Sequence, residues 1–125
     1  MDRDPRIESL SAVTLTVTDI GRSMRFYASL GFERKPGDAL AGFASYVLGG
    51  GAAPAYLNLL EAPHGPFGGW GRVILYVSDV DAFYARIVAA GVAPEFAPVD
   101  APWGERYFHL RDPDGHELSF AQPLG

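Results

Sequence analysis

Cysteine is absent from the 125 residues, which rules out disulfides, thiolate metal ligands and a cysteine nucleophile together. No apolar run approaches the roughly 20 residues that a membrane helix needs. The opening stretch, MDRDPRIESL, is charged and unlike a secretory leader, so a cytoplasmic location away from membranes is expected. Basic residues are few: 10 Lys and Arg stand against 15 Asp and Glu, for a net charge of −5. With no cationic stripe to track phosphates, nucleic acid is not an expected partner. No serine has a nucleophile-elbow context. Gly49-Gly50-Gly51 and the glycines around Trp70 match no phosphate-loop spacing, so acyl and phosphoryl transfer find no support. What is present is 48% hydrophobic and 20% charged, a composition for one globular domain with a real core.

The most informative stretch is Trp103 to Phe120, WGERYFHLRDPDGHELSF. Asp112-Pro113-Asp114-Gly115 reads as a type I turn closed by a left-handed glycine, which makes a three-residue hairpin loop. That turn places Arg111 opposite Glu117, His109 opposite Ser119 and Tyr107 opposite Ala121. Because strands alternate faces, Phe108, Leu110, Leu118 and Phe120 form an apolar side. Tyr107, His109, Arg111, Glu117, Ser119 and Ala121 form the other.

Upstream, Val13 to Val17 alternates as a half-buried strand. Asp19 is placed to cap a helix carrying Ile20, Met24, Tyr27, Ala28 and Leu30, which Gly31 stops. Short strands follow at Phe32–Lys35 (ended by Pro36-Gly37), Phe43–Leu48 and Ala55–Leu60. Ala62 to Gly71 is rich in Gly and Pro and reads as a linker, its Phe67 and Trp70 either rimming a pocket or tucking under the sheet. The pattern then repeats at a shift of 60 positions. Val73, Leu75, Val77, Asp79 and Gly91 reproduce Val13, Leu15, Val17, Asp19 and Gly31, and a helix carries Val80, Phe83, Tyr84, Ile87 and Val88. A short strand over Val92–Phe96 and the hairpin complete the second copy. The expected architecture is α+β: two tandem βαβββ modules forming a curved, cleft-bearing mixed sheet with helices outside. The whole chain, 1–125, is one domain, with module one at about 10–61, the linker at 62–71 and module two at about 72–123.

Val17-Thr18-Asp19-Ile20, Ser23-Met24-Arg25-Phe26-Tyr27, Leu30-Gly31-Phe32 and the Asp112–Gly115 turn together resemble the vicinal oxygen chelate superfamily. That group holds glyoxalase I, extradiol dioxygenases, fosfomycin-resistance transferases and bleomycin-resistance proteins. The segment from Pro102 through Pro113 is most similar to bleomycin-resistance proteins. The resemblance implies a cleft where the enzymes hold a divalent metal on His and Glu. Carried across, the ligand positions are Ala12, Asn58, Arg72 and Ser119. Divalent ions want carboxylate oxygen or imidazole nitrogen. Ala12 offers no donor atom, Asn58 and Ser119 are weak and neutral, and a guanidinium repels a cation. No metal and no cofactor are therefore expected at the usual place. A displaced site on His109 and Glu117, aided by His64, is the competing arrangement, although Arg111 explains Glu117 more simply.

By alternation the cleft is lined by Thr14, Thr16, Tyr56, Asn58, Arg72, Ile74, Tyr76, Tyr107, His109 and Ser119, a mixture suited to a small organic ligand. Arg72 is positioned either to clamp a ligand carboxylate or phosphate or to pair with Glu117. Tyr76, Tyr107 and Trp103 offer stacking faces, and His109 offers a base or an ordinary hydrogen bond. Asp19, Asp79 and Asp112 read as structural. The resulting expectation is a metal-free small-molecule-binding protein of the drug-sequestering kind, acting as a homodimer. The alternative is a glyoxalase-, lyase- or dioxygenase-like enzyme using a relocated metal, or acid–base chemistry at His109 and Tyr107.

Overall fold

A computed structural model describes residues 5–35 and 41–125 of the chain. It builds two four-stranded mixed sheets, each with one helix. Module one runs β1 (Ala12–Val17), α1 (Ile20–Ser29), β2 (Glu33–Arg34), β3 (Phe43–Leu48) and β4 (Ala55–Glu61). Module two runs β5 (Arg72–Tyr76), α2 (Val80–Ala89), β6 (Val99–Asp100), β7 (Glu105–Arg111) and β8 (Glu117–Pro123). The sheet orders are β1-β4-β3-β2 and β5-β8-β7-β6. In each, the strand before the helix pairs in parallel with the last strand, and the last hairpin is antiparallel.

The local rules behind the repeat are visible in both copies. Asp19 and Asp79 sit in extended backbone, and each accepts from the amide three residues on, Arg22 N and Ala82 N, at 3.0 Å. This satisfies one of the donors a helix start leaves open. Gly31 and Gly91 end the helices at φ 88° and 92°. Glu61 and Gln122, at the ends of the last strands, accept from the first helical amides, Ile20 N and Val80 N.

Leu15, Val17, Tyr27, Leu30, Tyr46, Leu57, Leu59, Ile87, Phe108, Leu110, Leu118 and Phe120 are all buried in one cluster. Each such side chain contributes about 1.5–3 kcal/mol by leaving water. The cluster includes residues of both modules, and Phe32 meets Phe120 edge-on at 6.5 Å. Polar groups lace the same junction. The buried Asp112 carboxylate accepts from Tyr27 Oη at 2.8 Å and from the amides of Asp114 and His116 at 2.9 Å. Burial, then the Asp112 charge, push the Tyr27 phenol well above its ordinary pKa. Asp114 accepts from Thr18 N at 3.0 Å and Thr18 Oγ1 at 2.7 Å. Arg86 donates to the Leu30 carbonyl at 3.1 Å.

The hairpin register is the expected one: Arg111 pairs with Glu117, His109 with Ser119 and Tyr107 with Ala121, and Gly115 has φ 84°. Two short elements differ. Residues 92–96 form no strand, and the outer strand of the second sheet is Val99–Asp100. Pro94 lacks the amide a ladder requires, and Phe96 packs against Tyr107 and His109 instead. The strand expected at Phe32–Lys35 shrinks to Glu33–Arg34, because Phe32 is drawn into the aromatic core with Tyr27 and Tyr46. Pro36-Gly37 lies outside the described residues. In the linker, Gly68 lies against the hairpin turn so closely that a Cβ there would be 2.5 Å from the Gly115 carbonyl oxygen. Trp70 donates to Nδ1 of the buried His116 at 2.7 Å, while Nε2 of His116 meets the Thr16 carbonyl at 2.7 Å. Because the indole only donates, Nε2 carries the imidazole proton. No helix among the described residues is long and apolar enough to cross a membrane.

Candidate functional site

The face of the second sheet away from α2 carries the chemistry. Pairing sets three rows across β5, β8 and β7: Arg72–Glu117–Arg111, Ile74–Ser119–His109 and Tyr76–Ala121–Tyr107. The middle strand presents small, buried residues, Ser119 and Ala121. The flanking strands present tall ones that meet over them. Arg72 Nη1 lies 3.0 Å from His109 Nε2, and Tyr76 Oη donates to Glu105. Glu105 also accepts from Trp103 Nε1 at 3.0 Å.

Arg72 settles the state of His109. A guanidinium has only donors, so Nε2 is the acceptor and the neutral ring carries its proton on Nδ1. That Nδ1 is buried and has no hydrogen-bond partner among the described residues. Burial, and then the Arg72 charge, hold the His109 pKa below its ordinary value, against the opposing pull of Glu117 and Glu95. Glu117 is shared: Arg72 Nη2 lies 3.6 Å away and Arg111 Nη2 3.4 Å, while Arg111 Nε also meets Glu95 at 3.2 Å. Of the two roles expected of Arg72, the pairing with Glu117 is present, and the side chain remains 42% exposed.

An aromatic row continues from His109. Its ring lies 5.0 Å from Tyr107 and 5.2 Å from Phe96, and Tyr107 lies 5.4 Å from Trp103. Trp103 is 64% exposed and Tyr76 66%. The Glu105 hydrogen bond, then its charge, raise the Tyr76 pKa. Sequence reasoning missed Phe96 and Glu105. Glu105 was legible, since it stands two residues before Tyr107 on the same strand. Phe96 was not, because it reaches the row from a loop.

Asn58 is not part of this group. On the first sheet it accepts from Ser45 Oγ at 2.6 Å and donates to Thr14 Oγ1 at 3.3 Å. Among the described residues, no hydrogen bond or ring contact joins this trio to Arg72 and His109. The cleft lining expected from alternation therefore divides into two clusters, one per sheet.

The positions aligned with metal ligands do not suit an ion. Ala12 has no donor, both ends of the Asn58 amide are engaged, Arg72 is cationic and bound to His109, and Ser119 Oγ lies 3.5 Å from the Phe108 carbonyl. The relocated set fares no better: His109 has Arg72 on one nitrogen and burial around the other. Among the described residues, no three His, Asp or Glu side chains converge to hold a metal.

Two cavities lie elsewhere. One of about 480 Å³ follows the seam between modules, walled by core-face residues such as Val13, Phe32, Val73, Leu75 and Phe120 together with Tyr56, Ile74 and Tyr76. It has the volume of a ligand pocket, and Glu33, Tyr56 and Tyr76 are the polar residues of its lining; the candidate site is placed on the Arg72–His109 face, where cation, imidazole and aromatic rings meet. The other, about 250 Å³, lies between β1 and the linker at Phe67, Trp70 and His116. Phe67 and Trp70 thus border a space, and Trp70 also bonds to His116 of the hairpin.

Comparison with known proteins gives a consistent picture. The profile of the Glyoxalase/Bleomycin resistance protein/Dioxygenase superfamily matches residues 9–120. A superfamily member from Sphaerobacter thermophilus superposes with a TM-score of 0.73 at 27% identity, over 92% of this chain and 97% of that one. TioX from Micromonospora sp. gives 0.70 at 29%, over 94% and 100%. A bleomycin-binding protein crystallised with bleomycin gives 0.72 at 25%, over 93% and 98%. An uncharacterized protein of Mycobacterium bovis is 44% identical over 50 residues, 40% of this chain. The chain spans about a third of the length of the curated relatives it matches, as the 33% coverage of that protein illustrates.

Proposed function

Since the chain belongs to the Glyoxalase/Bleomycin resistance protein/Dioxygenase superfamily, we propose that it binds a small organic molecule without a metal and sequesters it unchanged. The observation that carries this reading is Arg72. It stands where a ligating carboxylate or imidazole would be needed, and it covers the lone pair of the nearest histidine. The same contact argues against His109 as a general base, which needs an open lone pair within reach of the proton it takes. The adjoining row of Tyr107, Phe96 and Trp103 supplies the apolar, aromatic surface that ligand sites use. Likeness to a bleomycin-binding protein supports a binding role over a catalytic one.

The proposed working unit is a homodimer. β5 is an outer strand of its sheet, and it leaves Ile74 and Tyr76 exposed beside the seam cavity. Outer strands of this kind are pairing surfaces, and a second copy would give the Arg72 face the opposing wall it lacks in one chain. Two measurements test the proposal. Light scattering should give the mass of two 13.5 kDa chains. Elemental analysis of protein purified without added metal should give no stoichiometric transition ion, and EDTA should leave ligand affinity unchanged. One tightly bound zinc, iron, nickel or manganese per chain would overturn it.

A further inference from the structure

Resting on that reading, we propose that the ligand is a planar aromatic acid, its ring laid on Tyr107 and Trp103 and its carboxylate held by Arg72. Every carboxylate on this face already holds donors. Glu117 faces Arg72 and Arg111, Glu95 holds Arg111, and Glu105 holds Tyr76 and Trp103. The spare hydrogen-bonding capacity is donor capacity. Arg72 has five N–H groups. One meets His109, and the contact with Glu117 at 3.6 Å is far longer than the 2.7–2.9 Å of a charge-assisted bond. Glu117 keeps Arg111 as a partner when a ligand takes Arg72.

The geometry also sets a direction. The Tyr107 and His109 rings are 5.0 Å apart, so a bicyclic ring over Tyr107 puts a substituent near the guanidinium that reaches His109. At the other end, Glu105 repels a carboxylate, so the acid end is fixed at Arg72. His109, held neutral, adds no charge and keeps Arg72 in place.

The test uses three probes of one shape on the full chain: 2-naphthoate, the neutral 2-naphthamide and the cationic 2-naphthylmethylammonium, followed by calorimetry at low salt. The naphthoate should bind at least 10-fold tighter than the amide, and the cation weakest. Arg72→Met, checked for an unchanged melting curve, should reduce naphthoate affinity to that of the amide while leaving the amide nearly unaffected. Arg25→Met, which removes an exposed charge of the same sign from α1, away from this face, should change naphthoate affinity less than 3-fold. Equal affinity for acid and amide, preference for the cation, an ineffective Arg72→Met, or no binding of any probe each overturns the inference. Of these, tight binding of the amide or cation leaves the binding-protein reading standing. A stoichiometric metal ion overturns both.

Discussion

The two sheets match row for row, and the rows show where the modules have parted. Thr14–Asn58–Ser45 in the first sheet corresponds to Ile74–Ser119–His109 in the second, and Ala12–Tyr56–Val47 corresponds to Arg72–Glu117–Arg111. On the faces turned to the core, both sheets keep apolar residues, Leu15, Leu57 and Leu59 against Phe108, Leu118 and Phe120. The opposite faces share nothing. The first holds a neutral amide–hydroxyl trio whose bonds are mutually satisfied. The second holds guanidinium, carboxylate and imidazole with donors left over. Packing constrains one side of a sheet, and chemistry is free to differ on the other.

The largest effect should come from the hairpin turns, which differ as sharply. Asp112 ties three donors at the module junction, whereas the Gly49-Gly50-Gly51 turn has nothing within 4 Å of an added Cβ. Asp112→Ala leaves the Tyr27 hydroxyl buried without its acceptor and should cost about 3 kcal/mol in urea unfolding. Gly50→Ala should stay within about 0.5 kcal/mol. Equal losses would mean that the second turn contributes no more than the first.

The two polar faces give a smaller contrast. Asn58→Ala opens the trio and should cost about 1 kcal/mol. Arg72→Met removes an exposed, loosely paired cation and should change stability by less than about 0.5 kcal/mol. A larger loss for Arg72 would show that its face is there for folding.

The smallest effect is pH dependence. His109 has a lowered pKa in the folded chain, so the unfolded chain takes up that proton first as pH falls. The stability tied to a neutral His109 is complete above the ordinary histidine pKa and declines as pH drops through it. The urea midpoint should therefore fall slightly more between pH 8 and pH 5 in the parent than in His109→Gln. An identical slope would mean that neither burial nor the Arg72 charge disfavours the imidazolium at this position.

Much of the fold was legible because it is local. Capping Asp19 and Asp79, stopping Gly31 and Gly91 and the Asp112–Gly115 turn are short-range signals, and the turn alone set the register of β7 and β8. What escaped depended on distant partners. The place of β6 follows from where Phe96 finds Tyr107 and His109, a contact no periodicity encodes. Asn58 and Arg72 point away from the core as alternation requires, yet alternation cannot say whether two such faces look at each other within one chain.

The bonds from Asp112 to Tyr27 and from Asp114 to Thr18 have no mirror image. At the repeat-related positions, Tyr27 becomes Ile87, Thr18 becomes Ser78, and the opposite turn is glycine. The halves fit as lock to key and not as twins clasping hands. A protein made from either half in duplicate would inherit two keys or two locks, and the bonds that Asp112 and Asp114 make across the junction would have no counterpart.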